Sequence, residues 1–224
     1  MEKQILYFLR HGQTQFNVFR RLQGWSNSQL TPSGIQAARQ SGEAFGHIPF
    51  DAVYSSDLTR ALDTAKLFLS AAGKDLPIIP SRDLREIGFG YFEGLDGPGT
   101  WRLADVKAAD MGLIPAGEEA PEALRIDMVH LLDPYHLAED YRTFLGRLRR
   151  GVETILRENP EKQHILLFSH SSVIKAVFDT FDPDFQTPAE ARNGSISSMA
   201  YDGARFRVLS FNQSPEGGKG QTEA

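Results

Sequence analysis

Two histidines each follow a short apolar segment that is typical of a buried β-strand. His11 comes after Ile5–Leu9, and His170 comes shortly after Ile165–Phe168. In open α/β folds the ligand crevice lies beyond the carboxyl ends of the parallel strands. A single histidine in such a place is more often structural than functional, but two histidines at two strand ends predict a shared site.

Several groups that could bind an anion surround His11 in the sequence. Arg10 precedes it, Gly12 follows it, and Thr14 and Asn17 come within six positions. A guanidinium, an imidazole that can act as a nucleophile and neutral donors suit an anion that is to be attacked. Gly12 lets the chain turn and is expected to bring backbone N–H groups close to the ligand.

Arg60 and Glu86 each have two possible roles. Arg60 stands early in a predicted helix after the Ala52–Tyr54 strand, so it could be a solvated arginine or a bidentate ligand of phosphate oxygens in the same crevice. Glu86 could be an ordinary exposed carboxylate. Gly88 and Gly90 favour instead a tightly shaped loop that aims a carboxylic acid.

The composition limits the classes of protein to which the chain can belong. It has 224 residues, 24 lysines and arginines against 29 acidic residues, and no cysteine. Disulfides, thiolate metal sites and cysteine nucleophiles are therefore excluded. No apolar run approaches the roughly 18 residues of a membrane span, and mild acidity gives no reason to expect nucleic acid or a membrane as partner. Because no secretion signal precedes the first strand, we expect a cytoplasmic protein.

The elements that must position these residues alternate between strands and helices. This alternation predicts an α/β fold, a three-layer α/β/α sandwich with a mostly parallel central sheet. Asp202-Gly203 is a hairpin signal between strands near 195–201 and 206–211, which would form an antiparallel edge hairpin. The predicted helices run from Pro32 to Phe45, from Leu58 to Ala71, from Ala138 to Glu158 and, after His170, through Phe178.

Residues 96–140 differ from the rest, with ten acidic residues against three basic ones and no strand character. We interpret them as a helical insertion within a single catalytic domain of residues 1–212, which a flexible tail of residues 213–224 follows. His130 and His136 are expected on its polar surface, and no metal site is predicted. Four of its apolar residues could line a wall of the site but are expected to pack the insertion's own small core: Trp101, Met111, Leu113 and Met128.

Five ordered blocks of the sequence resemble the histidine phosphatase superfamily. Within it, they resemble the branch that holds cofactor-dependent phosphoglycerate mutases and related phosphatases. The resemblance covers roughly residues 4–95 and 139–200, and the order of the blocks makes it specific. The blocks are LRHGQT at 9–14 with Asn17 and LQG at 22–24, YSSDLTRA at 54–61, LRE at 84–86, GYFEG at 90–94, and Ser169-His170.

The resemblance implies a role for each matched residue that can do chemistry. His11 would be the nucleophile and become phosphohistidine. Arg10, Arg60 and His170 would surround the transferring phosphoryl group. Glu86 would protonate the leaving oxygen and later act as the base for water.

Other residues are expected to contact the substrate or its phosphate. Asn17 would be a further donor and Gln23 would lie at the rim, while Gly12 and Thr14 belong to the phosphate-binding segment. Ser171, with the serine after it, stands where the family often has glycine, so altered substrate contacts are expected.

Phosphoryl transfer spreads negative charge over oxygens, so two guanidiniums can serve it without a metal or other cofactor. The nucleophilic imidazole must be neutral at its attacking nitrogen, with the other nitrogen held by an acceptor such as a backbone carbonyl. We therefore expect a neutral His11 and, in a different environment, a cationic His170.

Three functions are compatible with such a pocket: a phosphatase, a phosphoglycerate mutase and a non-catalytic phosphate-binding module. A mutase must exclude water and hold a second anionic group, for which the family uses clustered basic residues after the Glu86 loop. The acidic excess of residues 96–140 disfavours this. We therefore expect a phosphatase that acts on small phosphorylated metabolites. The one further partner considered is a second copy of this chain, with which it would form a homodimer.

Overall fold

A computed structural model describes residues 4–161 and 163–215 of the chain. Its centre is a six-stranded sheet in the order β3-β2-β4-β1-β5-β6, in which β1 to β4 run parallel and β5 and β6 run antiparallel at one side. The predicted mixed sheet with an antiparallel edge hairpin is confirmed. The strands are β1 (Gln4–Arg10), β2 (Ala52–Ser56), β3 (Ile78–Ser81), β4 (His164–Ser169), β5 (Ile196–Tyr201) and β6 (Phe206–Gln213).

Seven α-helices accompany the sheet in the described part of the chain. The second begins where the sequence predicts, because the Thr31 hydroxyl accepts from the Gly34 N–H and Pro32 occupies the first helical position. The helices are α1 (Gln15–Val18), α2 (Pro32–Phe45), α3 (Thr59–Ala71), α4 (Gly97–Asp110), α5 (Glu122–Leu132), α6 (Tyr141–Glu158) and α7 (Ser171–Phe181).

Three helix boundaries differ slightly from the prediction. Helix α7 ends at Phe181, three residues later than expected. Helix α6 begins at Tyr141, three residues later than expected, because the Asp140 carboxylate accepts from the Thr143 N–H and ends the preceding loop. Helix α3 begins one residue later than expected, because Leu58 has an extended backbone. These differences leave the chemistry-bearing residues on the elements predicted for them.

Different helices cover the two faces of the sheet. Phe8 of β1 faces a core that α6 and α7 complete, and its ring lies 5.6 Å from that of Phe178. Leu9 faces the opposite core, where α2 and α3 pack and the rings of Phe68 and Phe168 are 5.4 Å apart. Burial on both faces explains why β1 and β4 are continuously apolar, and it confirms the three-layer architecture.

The acidic segment 96–140 forms α4 and α5, as the predicted helical insertion requires. Ala108 and Ile126 belong to the same core cluster as β1, and Met128 is buried with them. Met111 and Leu113 are about half exposed, so the expectation that they pack a small core is wrong for these two. No helix among the described residues is long and apolar enough to cross a membrane.

The register of the sheet places two strand ends level with each other. Arg10 pairs with Ser169 in the β1–β4 ladder, so the next residue of each strand emerges at the same edge. At the other end of the chain, β6 continues to Gln213, one residue beyond the predicted end of the domain. Residues 216–224 of the predicted tail lie outside the described residues.

Candidate active site

The side chains of His11 and His170 meet at this edge of the sheet. Their ring centroids are 5.1 Å apart and their planes are inclined by 61°. Both side chains are buried, with exposed fractions of 4% and 0%. The two strand ends thus deliver both imidazoles to one place, as the sequence predicts.

Hydrogen bonds on both sides fix the state of the His11 imidazole. Its Nδ1 lies 2.8 Å from the carbonyl oxygen of Gly12, which can only accept, so Nδ1 carries the proton. On the other side, Arg60 Nε donates to His11 Nε2 over 3.2 Å, so Nε2 presents its lone pair. Burial and the charges of Arg60 and Arg10 hold the pKa of His11 well below its usual value. His11 is therefore a neutral imidazole with an unprotonated Nε2, as expected.

The guanidinium of Arg60 is held against His11 by backbone carbonyls rather than by a carboxylate. Its Nη2 donates to the carbonyls of Gln23 and Gly24, and its Nη1 donates to that of Ser26. Burial lowers the pKa of Arg60 to about 10, so it remains a cation at neutral pH. None of the described acidic side chains forms an ion pair with it, and its Nε is the atom that faces His11.

The segment that holds Arg60 is itself held by one carboxylate. Glu93 accepts hydrogen bonds from the backbone N–H groups of Gly24, Trp25 and Ser26, and from that of Phe89. The Ser26 hydroxyl donates to it as well. Glu93 therefore connects the Arg60-binding loop to the loop that follows Glu86.

Arg10 and His170 each carry a buried polar atom that no described residue contacts with a hydrogen bond. Within residues 4–161 and 163–215, Arg10 Nε and His170 Nδ1 are the buried side-chain atoms without a hydrogen-bond partner. Arg10 Nη1 donates to the Ala191 carbonyl, and His170 Nε2 lies 2.9 Å from the Ser56 hydroxyl. Buried polar atoms are almost always paired, so these two atoms point to a bound polar ligand.

The expectation of a cationic His170 is wrong for this state of the protein. Burial, followed by the positive charges of Arg60 and other neighbours, holds the pKa of His170 well below its usual value. The imidazole is therefore neutral in the free protein. A phosphate dianion beside it would supply the opposite charge that favours protonation, so the charge of His170 depends on occupancy of the site.

Glu86 lies in the loop between β3 and α4, close enough to Arg60 and Arg10 to interact with their charges. Its two carboxyl oxygens accept from the backbone N–H groups of Ile87, over 3.0 Å, and Ser172, over 3.3 Å. Burial raises the pKa of Glu86, although these N–H groups and the charges of Arg60 and Arg10 oppose the shift. The protonated form that a general acid needs is thus favoured by its environment. Ser172, one of the two serines in place of glycine, contributes through its backbone.

A buried ion pair fixes the backbone of the Glu86 loop. Arg147 donates to both carboxylate oxygens of Glu139 over 2.7 Å. It also donates to the carbonyls of Asp83, Arg85 and Glu86 over 3.1, 2.6 and 2.7 Å, so that all five of its N–H donors are used. Glu139 in turn accepts from the N–H of Gly88 over 2.9 Å. We call Arg147 and Glu139 the acid-loop clamp.

Three predicted contact residues have structural rather than ligand-facing roles. The N–H of Gly12 donates to the Thr64 hydroxyl. Contrary to the expectation from the sequence, this N–H is therefore not free for a ligand. Gly12 is required because a Cβ there would lie 2.5 Å from the Gly34 carbonyl oxygen. The Thr14 hydroxyl caps α1 and donates to Gln23, which is buried and not at the rim of the pocket.

Asn17 and Ser171 lie nearer to the pocket. Asn17 lines the cavity described below, and its Oδ1 accepts from the Thr14 N–H. Ser171 is buried at the start of α7, and its hydroxyl donates to the Ala191 carbonyl over 3.4 Å. That carbonyl also accepts from Arg10, so Ser171 supports the arginine.

Two further residues contact the predicted site residues, and no motif in the sequence predicts them. Asn193 donates to the carbonyl of His11 over 2.9 Å, and Ser56 contacts His170. Ser56 ends β2, which neighbours β4, and Asn193 precedes β5, which begins beside the end of β1. The order of strands in the sheet was the signal that could have found them, and the sequence alone does not give that order.

A cavity of about 1130 Å³ extends from Arg10 and Asn17 towards the helical insertion. The segment from Phe16 to Leu22 contributes to one part of its lining, and α4 with the loop after it contributes to another. Trp101 lines this cavity, so the expectation that it only packs the insertion is wrong. Its charged lining consists of Arg10, Arg20, Arg21, Arg102, Arg125, Asp105, Asp110, Glu118, Glu119 and Glu190.

The described residues contain no group of three or more acidic and histidine side chains that could hold a metal ion. His130, whose Nδ1 contacts the Ala138 carbonyl, and the exposed His136 do not contribute to the lining of the cavity. The basic side chains that line the cavity are all arginines.

Comparison with known proteins gives a match over nearly the whole chain. A family model described as the histidine phosphatase superfamily (branch 1) matches residues 6–214. The 2,3-bisphosphoglycerate-dependent phosphoglycerate mutase 2 of Gloeobacter violaceus is 32% identical over 179 residues, which cover 80% of this chain and 75% of that protein.

Solved structures include proteins of both catalytic types. The phosphoglycerate mutase from Bacillus anthracis superimposes with a TM-score of 0.86 at 29% identity, over 96% of each chain. A mycobacterial glucosyl-3-phosphoglycerate phosphatase in complex with VO3 superimposes with a TM-score of 0.70 at 25% identity, over 94% of this chain and 100% of that one. Similarity to known proteins thus leaves hydrolysis and isomerisation as alternatives.

Proposed function

Because the chain belongs to the histidine phosphatase superfamily, branch 1, we propose that it is a phosphomonoesterase that acts on small phosphorylated metabolites through a phosphohistidine at His11. One observation carries this proposal: His11 Nε2 is unprotonated and lies beside Arg60, where Arg10 Nε and His170 Nδ1 are buried without a hydrogen-bond partner among the described residues. A phosphoryl group is an electrophile with oxygens that need such donors.

In the first step, His11 Nε2 attacks phosphorus as the bond from phosphorus to the leaving oxygen breaks. Arg60 moves its hydrogen bond from Nε2 to a phosphoryl oxygen, and Arg10 Nε and His170 Nδ1 donate to the others. Glu86 gives its proton to the leaving oxygen, which departs as an alcohol. The Gly12 carbonyl stabilises the positive charge that develops on the imidazole through the Nδ1 proton.

In the second step, water replaces the alcohol. The Glu86 carboxylate takes a proton from water, whose oxygen bonds to phosphorus while the bond to Nε2 breaks and its electron pair returns to the ring. Free phosphate leaves, and both Glu86 and His11 regain their starting states. The acid-loop clamp holds the Glu86 backbone through both steps.

The acidic excess of residues 96–140 supports hydrolysis over isomerisation, because a mutase must retain a doubly anionic substrate while phosphohistidine exists. The phosphoglycerate mutases named above favour the second candidate, a cofactor-dependent mutase. The two functions share the first step and differ in whether water or a second hydroxyl receives the phosphoryl group.

Phosphorus NMR distinguishes the two candidates in one experiment. The protein is supplied with 3-phosphoglycerate and a catalytic amount of 2,3-bisphosphoglycerate, with the His11→Ala variant as control. We expect inorganic phosphate from the native protein and no turnover from the variant. Accumulation of 2-phosphoglycerate without phosphate would overturn the proposal in favour of the mutase.

A further inference from the structure

Asn212, near the end of the edge strand β6, has a left-handed backbone with a φ of 58°. Residues other than glycine seldom adopt this conformation, although asparagine does so more readily than most. Asn212 belongs to a β-bulge, because β6 places Phe211 and Asn212 opposite the single residue Ser197 of β5. The Asn212 N–H donates to the Ser197 hydroxyl over 2.9 Å. Bulges on edge strands often redirect a side chain, so the contacts of the Asn212 amide are informative.

The Asn212 amide binds residues 190–193, a segment that lies outside the helices and strands. Its Oδ1 accepts from the Arg192 N–H over 2.8 Å, and its Nδ2 donates to the Glu190 carbonyl over 3.3 Å. The backbone carbonyl of Asn212 also accepts from Arg192 Nη2 over 3.0 Å. Because no strand ladder fixes this segment, individual hydrogen bonds such as these three constrain its backbone.

The same segment contacts two residues of the site. The carbonyl of the buried Ala191 accepts from Arg10 Nη1, and Asn193 donates to the His11 carbonyl over 2.9 Å. The charge of Glu190 opposes the effect of burial on the pKa of Arg10 and favours the cation. A shift of this segment would therefore move the acceptor that holds the Arg10 guanidinium.

The orientation of the Arg10 guanidinium matters because its Nε is buried without a hydrogen-bond partner among the described residues. The guanidinium is planar, and its N–H groups have fixed directions relative to one another. When the Ala191 carbonyl fixes Nη1, it therefore also limits the direction in which the Nε–H can point. An anion in the site receives this hydrogen bond only while the carbonyl keeps its place.

We propose that Asn212 is a positioning residue of the site, which acts through residues 190–193 to orient the Arg10 guanidinium toward the phosphoryl group. The inference rests on the proposed function for the identity of the anion, whereas the orientation of Arg10 is a property of the free protein. Glycine would fit the backbone of the bulge with less strain, but it has no amide to hold the segment. The requirement for that amide explains why asparagine occupies a left-handed position.

The Asn212→Gly variant removes the amide and suits the left-handed backbone, so it should fold with a Tm close to that of the native protein. Nitrogen-15 NMR then follows exchange of the Arg10 Nε proton with water, and the signal is assigned by its absence in Arg10→Lys. We expect slow exchange in the native protein and exchange that is several-fold faster in the variant, because the guanidinium is less constrained. Titration calorimetry with inorganic phosphate should show an affinity about fivefold weaker, as expected for a hydrogen bond that is partly lost.

The matched control is His136→Gly, because His136 also has a left-handed backbone, with a φ of 54°, is exposed and does not line the cavity. It should change neither the exchange rate nor the phosphate affinity. An unchanged exchange rate or an unchanged affinity in Asn212→Gly would overturn the inference, and so would equal changes in the control.

Failure of the native protein to bind inorganic phosphate, or to release it from p-nitrophenyl phosphate, would overturn the proposed function instead. The exchange of the Arg10 proton needs neither ligand nor turnover. It would still decide whether Asn212 orients Arg10.

Discussion

Arg60 Nε lies 3.2 Å from His11 Nε2 and donates to it, so a cation contacts the nitrogen that attacks phosphorus in the proposed mechanism. This contact and the Gly12 carbonyl at Nδ1 together select one neutral tautomer of His11. The charge of Arg60 also opposes protonation of the ring and lowers the pKa of His11, after burial. In the proposed mechanism, the same guanidinium thus keeps His11 neutral before substrate binds and contacts the phosphoryl oxygens afterwards.

The pH dependence of kcat/KM should be bell-shaped, with its two limbs assigned to His11 and Glu86. Activity falls at low pH when His11 is protonated, and its lowered pKa places this limb well below 6.5. Activity falls at higher pH when Glu86 loses its proton, and its raised pKa places this limb above the usual value of 4.5. Glu86→Gln should remove the second limb. The native protein and the variant are measured with the same substrate, so that ionisation of the substrate affects both profiles equally.

Glu86→Gln should also reduce turnover of alkyl phosphates far more than that of p-nitrophenyl phosphate. Only an alkoxide leaving group needs a proton in the transition state, whereas p-nitrophenolate leaves without one. An equal loss of turnover for the two substrates would show that Glu86 is not the general acid.

Disruption of the acid-loop clamp should impair both stability and acid catalysis. Arg147→Lys keeps the charge but cannot supply five fixed donors, so several carbonyls and a buried carboxylate lose partners. We expect the free energy of unfolding to fall by about 2–4 kcal/mol, and turnover of alkyl phosphates to fall more than that of p-nitrophenyl phosphate.

Arg150→Lys is the matched control for the clamp. Arg150 is on the same helix and pairs with Asp83, but its side chain is 64% exposed. Its substitution should change the free energy of unfolding by less than about 0.5 kcal/mol and leave the leaving-group dependence unaltered. If Arg147→Lys reduces the turnover of both substrates equally, the clamp has only a structural role.

Glu93→Gln should weaken substrate binding through Arg60. Glu93 accepts from four backbone N–H groups and the Ser26 hydroxyl, and a neutral amide can accept at only one of its two terminal atoms. The loop that holds Arg60 should then become less ordered. We expect KM to rise several-fold for p-nitrophenyl phosphate, measured beside Glu153→Gln on the exposed face of α6. An unchanged KM would show that Glu93 does not position Arg60.

Chelation should not affect turnover if guanidinium groups supply the positive charge. Hydrolysis of p-nitrophenyl phosphate is measured before and after dialysis against EDTA, with added Mg²⁺ or Zn²⁺ as further arms. We expect the same rate in all arms. Loss of activity on chelation and recovery with one of the metals would contradict the proposed mechanism.

Much of the fold was predictable because its signals are local. The apolar runs of β1 and β4, the cap of α2 at Thr31 and the hairpin at Asp202-Gly203 each depend on a few neighbouring residues. The convergence of His11 and His170 was predictable as well, since parallel strands end at a common edge. Boundaries that depend on one cap, such as Asp140, were less well predicted.

By itself, the sequence determined which residue types stand near the strand ends, and the two histidines and two arginines among them predict an anion as the ligand. The tertiary structure decided which of their donors are already used. The N–H of Gly12 donates to the hydroxyl of Thr64, which is 52 residues away in the chain. Arg147 donates to the carbonyl of Glu86, which is 61 residues away. The tertiary structure also decided that His170 is neutral and that Arg20 lines the same cavity as the insertion, because burial and electrostatic fields arise from neighbours in space and not from neighbours in the chain.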